Sequence, residues 1–247
     1  MLLSSAYLPP VWYFTKLFLC DGKEVQIEQW DHYVKQTYRN RCVIGGADGL
    51  LALTVPTEKP ETPKCYMRDV RISDHGNWRH QHWNALEAAY GQTPFFLYYE
   101  DDFRPFYERR FEFLFDFNLQ LITLCCQLID IHPHLHPTEE FSVPNPQSSV
   151  PNPQSSIFNL QSSPPPNLQS SIFNLQSPSD FRSLIHPKHD PACDPTFRPA
   201  PYYQVFADRF GFRPNLSIVD LLFNMGPESL LVLQQSIINN LGSKNGS

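Results

Sequence analysis

The first twenty residues fall into an apolar run, a break and a second apolar run. Leu2 to Tyr7 reads as a buried strand. Pro9-Pro10 then opens an aromatic segment that predicts a helix to about Cys20, because proline is tolerated in a helix's first turn but not in its interior. Glu24 to Gln29 alternates with the two-residue period of a half-buried strand, and Leu50 to Val55 reads as another. Gly45-Gly46 and Asp48-Gly49 supply a turn, so Cys42–Ile44 and Leu50–Val55 are expected to pair as a hairpin. From Asn77 the period becomes helical, with Trp78, His82, Ala85 and Ala89 on one face and Trp83, Leu86 and Tyr90 on another. One long helix is expected after Asp102, with Pro105 in its first turn and Phe103, Phe106, Phe111, Leu114, Phe117, Leu121, Leu124 and Leu128 inward. Ser217 is placed to cap the segment 218–225, Gly226 to end it, and Pro227 to start a final helix to about Leu241. Strands and helices alternate early and helices dominate later. That is an α/β pattern, or α+β with a mainly helical C-terminal half.

The patterning lapses between Ser142 and Ser179. From Val143 the chain reads VPNPQSS, VPNPQSS, IFNLQSS, PPPNLQSS and IFNLQS, with no charged residue, no glycine and eight of the 24 prolines. Each unit offers too few apolar side chains to offset the entropy of ordering it. A flexible low-complexity insert, 142–179, is therefore expected between two parts of one domain, 1–141 and 180–241. A proline-rich partner motif is the alternative, but no basic residue flanks it.

Composition narrows the function classes. Aromatic residues make up 14% of the 247, enough for a real core, while charged residues make up only 18%. A net charge of −6 removes the general basic footprint that nucleic acid requires. The apolar N-terminus lacks a basic n-region, and no apolar run reaches 18 residues, so neither a signal peptide nor a membrane span is expected. Six cysteines without a CxxC pair suit reduced thiols and a cytoplasmic location.

Several groups of residues could carry chemistry. His80 and His82 point about 200° apart on a helix and cannot share an ion. His132, His134 and His136 would share a face if extended, but nothing with matching spacing completes a metal site, and none is expected. His82 alone stands near a helix start, where free N–H groups favour anions and lower a histidine's pKa toward general-base use; the competing reading is a hydrogen-bonded, half-buried histidine. The run from His32 to Arg41 packs Tyr33, Lys35, Asn40 and Arg41 into an otherwise acidic chain, a composition that grips phosphate or carboxylate and stacks on sugars or bases, or else a solvated basic loop. Asp220 and Asn224 lie one turn apart on a polar helix side and either face a site or are simply exposed. Cys42, beside Arg41, is a weak candidate nucleophile. No Walker loop, GxGxxG or GxSxG is present.

The segments YLPPVWYF at 7–14, HYVKQTYRNRCVI at 32–44, LTVP at 53–56, DHGNWRHQHWNAL at 74–86 and SIVDLLFNMG at 217–226 resemble the WbqC-like protein family. YYQVFADRFGF at 202–212 and DDFRPFYE at 101–108 resemble its Bacteroidetes branch. That family is associated with surface-polysaccharide and O-antigen loci, and its chemistry is not established. The resemblance singles out Tyr7, Tyr33, Lys35, Asn40, Arg41, Trp78, Asp220 and Asn224 as ligand-binding positions and His82 as a catalytic one. Many members carry Gln-Pro before the tyrosine, where this chain has Ser4-Ser5, so any role of that glutamine is not carried over. The implied activity is transfer of an acyl or aminoacyl group to a nucleotide-linked or lipid-linked sugar without a bound cofactor. The alternative is a non-catalytic module that binds a glycan precursor or a synthase partner protein.

Overall fold

The computed structural model describes residues 1–59, 64–141 and 180–238. The repeat at 142–179 and the far end of the expected last helix lie outside the described residues.

β1 (Leu2–Ser4), α1 (Val11–Leu19) and β2 (Glu24–Glu28) form a βαβ unit, with Leu3 opposite Ile27 in parallel register. The expected first strand ends early, at Ser4, and Leu8 takes a positive φ of 39° where the chain turns into α1. That conformation costs a non-glycine residue about 1–2 kcal/mol. It is held by the Ser217 hydroxyl, which donates to the Leu8 carbonyl at 2.7 Å. Val25 and Ile27 are fully buried and Glu24 and Gln26 exposed, as the alternation requires. β3 (Arg41–Gly46) and β4 (Gly49–Thr54) pair antiparallel around Ala47-Asp48, and Gly49 supplies the φ of +117° that the turn demands.

α2 spans Trp78–Tyr90, and its two expected faces merge into one broad buried surface. The helix expected after Asp102 is two helices, α3 (Phe96–Glu108) and α4 (Leu114–Ile129). α3 starts earlier because Phe96, Tyr99, Phe103 and Phe106 already form a buried stripe. Pro105 therefore sits in its last turn, not its first. The break follows at Arg109, which is extended, and the chain at 112–114 is instead tied to 70–72: Ile72 N–H donates to the Glu112 carbonyl at 2.9 Å and Leu114 N–H to that of Val70 at 2.9 Å. Phe111 stays in the break and stacks on Phe106 at 5.7 Å.

β5 (His134–Pro137) adds in parallel to the far side of β2, giving the order β1-β2-β5, and Asp180 bridges the other edge of β1 at Leu2. α5 (Ala207–Phe210), α6 (Ile218–Met225) and α7 (Ser229–Gln235) follow. Ser217 occupies the cap position of α6 but directs its hydroxyl to Leu8, so it makes no capping hydrogen bond. Gly226 ends α6 at φ +55°, and a Cβ there would stand 2.4 Å from Phe95. α7 stops at Gln235, short of the expected Leu241, because Ile237 pairs with Phe197 and Arg198 N–H takes the Ser236 carbonyl at 2.9 Å.

Residues 180–238 are packed against 1–141 through α1, whose Trp12, Phe14 and Leu17 are fully buried. Lys16 lies among them, 1% exposed, ion-paired with the buried Asp194 and donating to Thr196 Oγ1 at 2.7 Å. Asp194 also accepts from Trp12 Nε1 at 2.7 Å.

Candidate functional site: a helix cleft backed by a buried tyrosine–histidine chain

The βαβ turn drops Tyr7 beneath α2 and α3, where its hydroxyl lies 2.9 Å from His82 Nδ1 and 2.9 Å from the Tyr107 hydroxyl. The Thr54 backbone favours the protonated form of the same imidazole. In the tautomer that carries its proton on Nε2, Nδ1 accepts from Tyr7, and Tyr7 in turn accepts from Tyr107. Trp78 packs edge-on against His82 with centroids 5.1 Å apart. Burial pushes the His82 pKa down to about 4, while the Thr54 backbone works the other way, so the ring is neutral at physiological pH. The expected lowering is present, with burial as its first cause. Burial likewise holds the Tyr7 and Tyr107 phenols far above their ordinary range.

Tyr107 also belongs to the wall of a cleft of about 810 Å³ between α2 and α3. Trp78 and Trp83 supply its aromatic surface, Asn77, Asn84 and His80 its neutral polar groups, and Arg79, Arg104 and Arg110 its cations. Asp74, Glu87 and Glu108 balance those three arginines. Arg79 bonds Asp74 at 2.7 Å and lies over the Trp78 ring at 4.8 Å; Arg104 lies over the Trp83 ring at 5.4 Å. Two buried donors in this lining, Trp83 Nε1 and Arg79 Nη2, have no hydrogen-bond partner among the described residues. His82 itself is sealed behind the cleft and is 6% exposed.

The other expected positions do not join it. Tyr33 is half-buried with its hydroxyl 3.4 Å from Thr57, and Lys35 is exposed; neither lines the cleft. Asn40 lengthens the hairpin by one rung, its carbonyl accepting from Val55 N–H at 2.8 Å and its Nδ2 donating to the Val55 carbonyl at 3.1 Å. Arg41 Nε donates to Thr54 Oγ1 at 2.9 Å, and Arg41 is not in the cleft wall. Cys42 is 1% exposed and burial pushes its thiol up, the opposite of an activated nucleophile. Among the described residues, no three His, Cys, Asp or Glu side chains are grouped so as to hold a metal ion.

Asp220 and Asn224 are buried, not exposed, and organise the C-terminal segment. Asp220 accepts from Tyr202 at 2.6 Å, Tyr90 at 2.7 Å and Gln204 at 3.0 Å. Burial nonetheless leaves its pKa raised against those three bonds. Asn224 Oδ1 accepts from Val205 N–H at 3.2 Å. Sequence reasoning missed Trp83, Arg79, Arg104 and Tyr107 as cleft residues. Their only signal was Trp-Arg at 78–79 and an Arg-x-x-Tyr spacing at 104–107, which also suits core and solvent faces.

A model of the WbqC-like protein family matches residues 4–161. The chain belongs to this family. The matched span holds Tyr7, Tyr33, Lys35, Asn40, Arg41, Trp78 and His82, together with the whole α2–α3 cleft, and stops before Asp220 and Asn224. The WbqC-like chain is also similar to the uncharacterised protein Rv1507c of Mycobacterium tuberculosis, 30% identical over 135 residues. The alignment covers 54% of this chain and 57% of that relative, so the chain spans little more than half the relative's length. No solved structure matches it. Among the described residues, no helix is long and apolar enough to cross a membrane.

Proposed function

We propose that this WbqC-like protein binds a sugar-containing small molecule in the α2–α3 cleft and serves surface-glycan biosynthesis there. The observation that carries the reading is the pair of orphaned donors, Trp83 Nε1 and Arg79 Nη2, in a cleft of ligand size. Buried polar groups in folded proteins are as a rule satisfied, so these two suit acceptor oxygens of a ligand. Three arginines against three carboxylates favour a hydroxyl-rich ligand over a bare anion, because vicinal hydroxyls both donate and accept. Trp78 and Trp83 offer the apolar surface a sugar ring stacks on. A charged tail, nucleotide or lipid phosphate, would be met by Arg104 and Arg110.

Transfer chemistry is a second reading, favoured by the chain Tyr107–Tyr7–His82, which joins the cleft wall to a neutral imidazole. In that reading an acceptor hydroxyl or amine attacks the donor's acyl carbon. Its proton passes to Tyr107 as the Tyr107 and Tyr7 protons move one place toward His82 Nδ1. The proton then returns to the departing group. The depressed basicity of His82 makes binding the better supported of the two.

Saturation-transfer NMR and tryptophan fluorescence with a panel of nucleotide-linked and free hexoses test both. Binding that is lost in Arg79→Ala and weakened in Trp83→Phe supports the cleft. If His82→Ala and Tyr107→Phe retain binding but abolish turnover, transfer is the function. Absence of binding by every sugar tested, or binding indifferent to both cleft variants, refutes the proposal.

A further inference from the structure

A second crevice lies at the carboxyl end of the parallel sheet. Across the sheet the order is Asp180, β1, β2, β5, so the chain advances one way from β1 and then returns to β1's free edge. Open α/β sheets bind ligands outside the strand ends at such a reversal. A cavity of about 370 Å³ occupies this place, lined by Asp31 and Arg39 after β2, by Asp180, and by His186, Lys188 and His189 beyond it.

Its floor is a network of buried charge. The Arg182 guanidinium reaches Asp180 at 2.7 Å, the fully buried Glu28 at 2.8 Å and Asp31 at 3.3 Å. Arg39 Nη2 bonds Asp31 at 3.0 Å and Ser4 Oγ at 3.2 Å. Buried charges add little net stability over apolar packing, so a network of this extent suits a site more than a staple.

The carboxylates are thus engaged by the two arginines, and other donors remain available. Arg39 Nε is buried with no hydrogen-bond partner among the described residues. His186 Nδ1 accepts from Lys188 N–H at 3.1 Å, which places the proton of the neutral ring on Nε2. Lys188 has no ion pair among the described residues. His189 Nδ1 donates to the Leu184 carbonyl at 3.0 Å, which leaves Nε2 as an acceptor. The N-terminus of α1, the usual phosphate seat of a βαβ unit, is closed: Val11 N–H is taken by the Leu216 carbonyl and Trp12 N–H by Asn215, both at 3.0 Å. An anion at this end of the sheet must therefore be met by the side chains of the crevice.

We propose that this crevice binds the phosphate group of a small phosphomonoester, with Arg39, His186 and Lys188 donating and His189 accepting the proton of its monoanion. The local field agrees: His186 is held below its ordinary range by burial first and then by His189, Lys188 and Arg39. An acceptor beside the donors distinguishes phosphate from sulfate, which has no proton to give at neutral pH. The cavity volume leaves room for an organic part. This site shares no lining residue with the α2–α3 cleft.

Isothermal titration of the full chain with inorganic phosphate, glycerol 3-phosphate and sulfate tests the proposal. Saturable one-site binding of glycerol 3-phosphate is expected, with inorganic phosphate weaker and sulfate weakest. Lys188→Ala, at an exposed position, and His186→Ala should each weaken it about fivefold or more. Arg39→Lys, which keeps the charge but removes the orphaned N–H, should do the same. No saturable binding of either phosphate, sulfate binding as tightly as glycerol 3-phosphate, or unchanged affinity in Lys188→Ala and His186→Ala would overturn it.

Discussion

Replacing Asp194 with alanine strips Lys16 of its carboxylate partner while leaving the ammonium 1% exposed in the core. Breaking a buried ion pair from one side costs about 3–5 kcal/mol, because the surviving charge is left uncompensated. The orphaned Trp12 Nε1 keeps the cost toward the upper end. With a urea m-value of about 2–3 kcal/mol/M, the unfolding midpoint should fall by roughly 1–2 M. Lys16→Met added to Asp194→Ala removes the stranded charge and should restore most of the loss, save for the indole. Asp194 ties residues 180–238 to α1, so circular dichroism and tryptophan fluorescence should report one shared transition if 1–141 and 180–238 are parts of one domain, as we propose. The pH dependence has a definite sign. Burial alone would raise the Asp194 carboxyl, but bonds from Lys16, Trp12 and Thr196 outweigh it and hold the group below its ordinary range. Its contribution is therefore full above the unfolded value of about 3.9 and is lost as the pH falls through the lower folded value. A midpoint for Asp194→Ala within experimental error of the parent's, or no recovery in the double variant, would refute the ion-pair reasoning.

His82 should stay neutral down to about pH 4, as the imidazole resonances of a pH titration by NMR would show. Because the unfolded chain takes up that proton near pH 6.5, stability should decline between about 6.5 and 4, by on the order of 3 kcal/mol in all. Gly226→Ala should lower the melting temperature sharply, since φ +55° and a Cβ 2.4 Å from Phe95 act together; about 2 kcal/mol or more is the expected scale. In the native state iodoacetamide should label Cys193 first and spare Cys20, Cys42, Cys125 and Cys126 until the chain is denatured. Rapid labelling of Cys42 would contradict its burial.

Chain-local features are legible in the order of residues alone. The βαβ opening, the hairpin that turns at Ala47-Asp48, α2 after Asn77 and the end of α6 at Gly226 all follow from period and turn chemistry, which depend on neighbours a few residues away. The α3–α4 break is not legible there, because both sides of it are apolar and aromatic; the chain turns to satisfy backbone groups at 70–72, a partner about 40 residues earlier. Ser217 shows the same limit at one residue: its position marks a cap, but its hydroxyl goes to Leu8, 209 residues away in sequence.

The functional residues divide in the same way. Residue type and local pattern were enough to pick out side chains of unusual chemistry, and Tyr7, Trp78 and His82 do come together beneath one cleft. They were not enough to show that Asn40, Asp220 and Asn224 are buried and hydrogen-bonded to backbone groups and tyrosine hydroxyls from distant segments. Whether a polar group is engaged or free depends on partners brought from distant elements, so that question is answered only once the whole chain is packed. Packing left Trp83 Nε1, Arg79 Nη2 and Arg39 Nε without partners among the described residues, and it joined Lys16 to Asp194 across 178 positions of sequence.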